Sequence, residues 1–263
     1  MQTDPATRPL QPLLRLRTFG SLELTAREDA PGDAASPRFL PIAAGRLNGR
    51  ATFQALTLLK MLLCQPERRL LRDQALEWLW PEQSYERAAS RLDDAASALR
   101  VLLRPVSGDT VLSLLHGRHG VGNGYQLAPY PQVWVDADAF HWYIEQACRA
   151  DRFGDDALPW WEQAYRLAAR GPFLADDLYS EWSKERRIDL SGGYKQCVHE
   201  LARLYRERGV KVETERVLRE HVARDPRDED GLRPLMELLG EQERYQEALA
   251  CYAREGGVSG GWL

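Results

Sequence analysis

The chain has 263 residues, 44% hydrophobic and 28% charged, enough for two ordinary domains and the composition of a folded protein rather than a disordered one. No apolar run approaches the roughly 20 residues of a membrane-spanning helix, and the N-terminus has no apolar secretory core or small-residue cleavage site, so a cytoplasmic protein with no membrane partner is expected. The net charge of −4 conceals an asymmetry, because residues 1–130 carry 16 Lys and Arg against 13 Asp and Glu while residues 131–263 carry 19 against 26, and such halves suit different partners.

Residues 1–13 are polar, contain prolines and read as a flexible tail. Leu14 to Arg17 and Leu22 to Leu24 alternate apolar and polar residues around Gly20 and Ser21, the pattern of a short hairpin. Residues 28–37 have loop composition, and residues 39–43 suit one more strand. The period then becomes helical. Phe53, Leu56, Leu59, Leu62 and Leu63 form an apolar stripe that Pro66 ends. Residues 73–80 predict a short second helix stopped by Pro81. Residues 85–103 predict a third, with Ala88, Leu92, Ala95, Ala96, Leu99 and Leu103 along one side and Pro105 after it. Two strands around a Gly-rich turn follow, at residues 111–115 and 124–127. Strands, three helices and a terminal hairpin, in that order, predict a winged helix-turn-helix over residues 14–130.

From Val135 onward the pattern is helical, with Asp136 or Asp138 able to cap the first helix. Breaks are expected at Gly154, Gly171 and Pro172, Gly192 and Gly193, Gly209, Asp225 and Pro226, and Gly240. A shift of 34 residues carries Leu201 to Leu235, Leu204 to Leu238 and Leu218 to Tyr252, and 34 is the tetratricopeptide period. Such hairpins bury their apolar faces only by stacking. The expected fold class is therefore mostly α with a small β component: a winged helix-turn-helix followed by a TPR-like α-helical hairpin array over residues 131–255, then a Gly-rich tail over 256–263. Cys64, Cys148, Cys197 and Cys251 form no CxxC pair and no zinc pattern with histidine, and read as reduced structural thiols. No GxxxxGK(S/T), GxSxG or Ser/His/Asp pattern is present. No enzyme, metal or other cofactor is expected, although His116 and His119 have metal-like spacing.

At this point the sequence resembles a known family. Residues 55–80, with Asp73, Leu76, Leu79, Trp80 and Pro81, look like the first two helices of the winged helix in the antibiotic regulatory proteins, the SARP-type activators. Ser97, Leu99, Arg100 and Leu103 match the end of that family's recognition helix, and Gly124, Tyr125 and Leu127 match the strand closing its wing. Val135, Asp136, Asp138 and Phe140 resemble the opening of the bacterial transcriptional activator domain. Gly171 to Leu174, Glu181 with Trp182, Arg186 with Arg187, Asp225 with Pro226 and Glu229, and Leu235 with Met236 follow in that domain's order. The matches span about residues 14–255. The resemblance implies a response-regulator-type (OmpR/PhoB-type) winged helix. It also implies a transcriptional activator that binds direct repeats in promoter DNA, as a homodimer, and contacts RNA polymerase.

On that reading the third helix lies in the major groove, which is wide enough for an α-helix. Its non-core face offers Arg87, Ser90, Arg91, Asp94, Ser97, Ala98 and Arg100, with Arg104 at its end. Arginine forks onto guanine or neutralises phosphate, so Arg91 and Arg100 are expected at the groove or its rim, and Arg87 and Arg104 on phosphates. His116, Arg118 and His119 at the wing tip would reach the neighbouring minor groove or its backbone. Asp93 and Asp94 disagree with this picture, since carboxylates are repelled by phosphates. They would select cytosine, orient Arg91 and Arg100, or mark a winged helix that has lost DNA and serves as a protein-interaction scaffold. Trp160, Trp161 and Trp182, with Trp134 and Trp142, would either line a partner or ligand groove or fill the seam between hairpins and against the winged helix, and a ligand-sensing regulator is a third reading resting on these tryptophans.

Overall fold

The computed structural model describes residues 12–28, 38–42, 49–103, 111–117 and 122–255, the last four by backbone alone. Alternating Leu and Arg at Leu14–Arg17 build β1, with Leu14 and Leu16 buried and the arginines outward. Gly20, at φ +87°, turns the chain into β2, Glu23–Arg27, which pairs antiparallel with β1. β3, Phe39–Pro41, extends this sheet on the far edge of β2. The expected loop over residues 28–37 falls almost entirely outside the described residues.

Helix α1, Gly49–Cys64, buries Ala55, Leu58, Leu59, Met61, Leu62 and Leu63. The expected stripe is rotated here, because Phe53 is 70% exposed and its place inside is taken by Ala55 and Leu58. A 3-10 turn at Pro66–Arg68 leads into β4, Arg69–Leu71, a strand with no period long enough to be read from sequence. Helix α2, Arg72–Leu79, and helix α3, Tyr85–Leu103, follow as expected. β5, Leu112–Leu115, and β6, Gly124–Leu127, make the hairpin, with β6 central in the order β4-β6-β5.

A second strand missed in the sequence is β7, Val133–Val135, which runs parallel to β1 and completes the order β3-β2-β1-β7. Helix α4, Asp136–Phe153, starts directly after it. The Asp136 carboxylate is fully buried. It accepts the Thr18 and Ala137 amides and the Thr18 hydroxyl at 2.6–2.9 Å on Oδ1, and the Phe19 amide at 3.2 Å on Oδ2. Burial raises its pKa, while these four donors act in the opposite direction. Arg68 closes the same region, donating to the Ala128 and Val133 carbonyls at 2.8 and 3.0 Å and to the Asp138 carboxylate.

Two compact units result. The first holds Met1–Ala139 and Arg170–Asp189, the second Phe140–Ala169 and Leu190–Leu263. Within the first, the segment after residue 169 returns to the β1–β2 turn. Gly20 N–H donates to the Pro172 carbonyl at 2.9 Å, Leu174 N–H donates to the Thr18 carbonyl at 2.8 Å, and Lys60 pairs with Asp177.

The second unit is helical. It contains most of α4, then α5, Leu158–Ala168, the later part of α6, Glu181–Glu207, and α7, Lys211–Arg224, α8, Glu229–Glu241, and α9, Tyr245–Glu255. Helix α6 runs unbroken through Gly192 and Gly193, against the expected break. A Cβ on Gly193 would stand 3.0–3.3 Å from Phe140 and Ile144, so this glycine admits close helix packing rather than a turn. Gly154 and Gly209, at φ +76° and +71°, do end helices. Leu201, Leu204, Leu218, Leu235 and Leu238, the positions of the 34-residue shift, are all buried, whereas the Tyr252 side chain lies outside the described residues. Between α7 and α8, buried His221 contacts Asp228 at 2.6 Å, and a Cβ on Gly231 would lie 2.2 Å from its ring. The fold class is the expected one, mostly α with two small sheets, a winged helix followed by helical hairpins.

Candidate nucleic-acid interface

Helix α3 owes its orientation to one buried stripe, Ala88, Leu92, Ala95, Ala96, Leu99, Leu102 and Leu103, and Ala98 joins it at 8% exposure. Ala98 therefore belongs to the core side, not to the outward face expected from the sequence. Opposite, Arg87, Ser90, Asp94, Ser97 and Val101 are exposed at spacings of three and four residues, one continuous solvent stripe. Arg91 and Arg100 are half-buried and sit on opposite flanks of it, Arg100 on the flank of Asp93. Arg87, Arg91 and Arg100 make no hydrogen bond or ion pair among the described residues.

The two adjacent aspartates have different surroundings. Asp93 accepts a two-pronged contact from Arg72 at 2.7 and 2.8 Å, and Tyr125 Oη donates to it at 2.9 Å. Arg72 also reaches the Ala89 carbonyl at 3.3 Å, so it lies along the face of α3 that carries Ala89 and Asp93. The Arg72 guanidinium holds the Asp93 carboxyl below the usual carboxylate range, and Asp93 in turn raises Arg72. Burial, with Asp93 as acceptor, pushes the Tyr125 hydroxyl up to about 12. Asp93 is thus engaged within the fold, and its charge is locally compensated. Asp94 is exposed and makes no such contact among the described residues.

The same arginine ties the helix to the wing. Arg72 N–H donates to the Asn123 carbonyl at 2.8 Å, and Asn123 Oδ1 accepts the Gly117 amide at 2.9 Å, closing the wing turn. Gly124 permits the approach of β4, since a Cβ there would fall 2.2 Å from the Leu70 carbonyl oxygen. Arg72 was not singled out in the sequence, and Tyr125 entered only as part of the GYxL strand motif, not as a partner of Asp93. The only available signal was the GYxL motif around Tyr125. His116 is exposed just past β5, whereas Arg104, Arg118 and His119 lie outside the described residues.

The five tryptophans fall in both units. Trp134 and Trp182 belong to the first unit; Trp142, Trp160 and Trp161 belong to the second. Trp142 and Trp160 meet edge to face at 5.6 Å, with Tyr143 beside them. Trp161 is 2% exposed and is core, so its ring offers no partner surface. Trp160 and Trp182 are half-buried. The four cysteines are unbridged, and burial raises the thiol pKa of Cys64, to about 12, and of Cys148 and Cys197.

Among the described residues, no helix is long and apolar enough to cross a membrane. No family model and no curated protein matches the chain. Among solved structures it is similar to EmbR of Mycobacterium tuberculosis, determined in complex with a low-affinity phosphopeptide. The TM-score is 0.65 at 21% sequence identity, over 92% of this chain and 59% of that one. The chain therefore spans about three fifths of EmbR's length, and what the two share is the fold, a winged helix continued by helical hairpins.

Proposed function

We propose that the protein is a DNA-binding transcription regulator that lays α3 in the major groove and its wing along the adjoining backbone. One observation carries this reading. Arg87, Arg91 and Arg100 lie on α3 with no hydrogen bond or ion pair among the described residues, while Arg72 compensates the nearest carboxylate, Asp93. The acidic pair that favoured a protein scaffold is thereby reduced, among the described residues, to the one unpaired carboxylate of Asp94.

In this proposal residues 14–130 read promoter DNA, with Arg87 on phosphate, Arg91 and Arg100 at the groove and its rim, Ser97 and Asp94 toward base edges, and His116 on the wing side. Arg104, Arg118 and His119 would add phosphate contacts. Residues 131–255, which carry the excess negative charge, serve protein contacts. The SARP resemblance favours RNA polymerase and a second copy on direct repeats as partners, an activating role and a cytoplasmic setting. Half-exposed Trp160 and Trp182 are candidate contact residues, because tryptophan is enriched where interfaces are tightest.

A gel-shift series with duplex fragments from the source genome tests this. Retarded complexes are expected at low salt, weakening steeply as salt rises because each neutralised phosphate releases counterions. A series that stays flat at low salt would contradict the proposal and favour the scaffold reading.

A further inference from the structure

Asp93 and Asp94 are neighbours in the chain but face different surroundings. Asp93 is held by Arg72 and Tyr125. Asp94 stands in the middle of the exposed stripe, three residues from Ser97 and four from Ser90, with no partner among the described residues. Its outward position is set by the buried side of α3 and by the Arg72 contact one residue earlier, so this carboxylate is presented by the fold.

Resting on the reading of α3 as the groove-borne helix, we propose that Asp94 is a specificity-determining residue that selects cytosine. An ionised carboxylate only accepts hydrogen bonds. In the major groove guanine offers N7 and O6 and thymine offers O4, all acceptors, and each repels a carboxylate. Donors are found only at cytosine N4 and adenine N6, and at adenine the neighbouring N7 acceptor opposes the second carboxylate oxygen. Cytosine N4 has no such neighbour on its own base. A carboxylate brought among phosphates loses hydration and is repelled unless a donor meets it, so Asp94 penalises every base but cytosine at its position. The aspartate side chain is short, and the flanking Ser90 and Ser97 are small and exposed, so the helix can come close enough for Asp94 to reach a base edge. Arg91 and Arg100, on opposite flanks, supply the attraction that holds a helix with a central negative charge in the groove.

The test is selection from a random duplex pool by the wild type and by Asp94→Ala, followed by affinity measurement on single-base variants of the selected site. The wild type is expected to select cytosine at one fixed position, and replacing it should weaken binding roughly tenfold or more. Asp94→Ala is expected to lose that preference, keep those at other positions, and bind cytosine-free duplexes at least as tightly as the wild type, because a charge repelled by phosphate is gone. Unchanged thermal unfolding would confirm that this exposed site leaves the fold intact. Wild-type sites without a fixed cytosine, or a cytosine preference that survives in Asp94→Ala, would overturn the proposal while leaving DNA binding standing. A wild type that retains no duplex at all overturns the DNA reading and this proposal with it.

Discussion

Replacing Gly124 with alanine is expected to destabilise the first unit by about 3 kcal/mol or more, in the range of severe overpacking. The new Cβ would sit 2.2 Å from the Leu70 carbonyl oxygen and 3.0 Å from the Leu71 Cα. Both are backbone atoms of β4, so no rotamer change relieves the clash. The strands must part, and the pairings Leu71 to Gly124 and Leu70 to Tyr125 are lost together. Because Tyr125 donates to Asp93 and Arg72 follows Leu71 directly, the wing and α3 loosen at the same time. Thermal unfolding followed by circular dichroism measures the effect. A loss under about 1 kcal/mol would show that β4 and β6 are not held as described.

The second large effect is expected at Asp136. Alanine there removes the acceptor of two buried backbone amides, a buried hydroxyl and the Ala137 amide in the first turn of α4. Each buried donor left unpaired costs about 1–3 kcal/mol. The strands and α4 relax in part, so a total of about 3–5 kcal/mol is expected, measurable by urea unfolding. Asparagine should be milder, since its carbonyl keeps the three donors on one oxygen and only the Phe19 amide faces a nitrogen. Equal losses for the two variants would contradict this account of the site.

What was legible in the sequence follows the length and clarity of each signal. The 19 residues of α3 carry five turns of apolar spacing, so the helix and its buried stripe were readable, although Ala98, too small to mark a side, was misplaced. The three-residue strands β4 and β7 carry hardly one period and are defined by their partners β6 and β1. Gly192 and Gly193 read as a break because glycine weakens helices. What decides there is the approach of Phe140, a packing effect that propensity does not encode. The candidate interface was half legible. The arginines of α3 were visible, but the different roles of Asp93 and Asp94 depend on Arg72, 21 residues earlier in the chain.

The most direct test is a fluorescence-anisotropy titration of the wild type and of the Arg91→Ala, Arg100→Ala double variant. A selected duplex and a scrambled duplex of the same composition are each titrated across a range of salt. The wild type should prefer the selected duplex and show a steep salt dependence. The double variant should lose most of that preference, with affinity for the selected duplex down about 30-fold or more, as expected for two base contacts worth about 1–3 kcal/mol each. Its salt slope should fall by about one for each arginine that touches phosphate. A double variant that binds and discriminates like the wild type would contradict the placement of α3 against DNA.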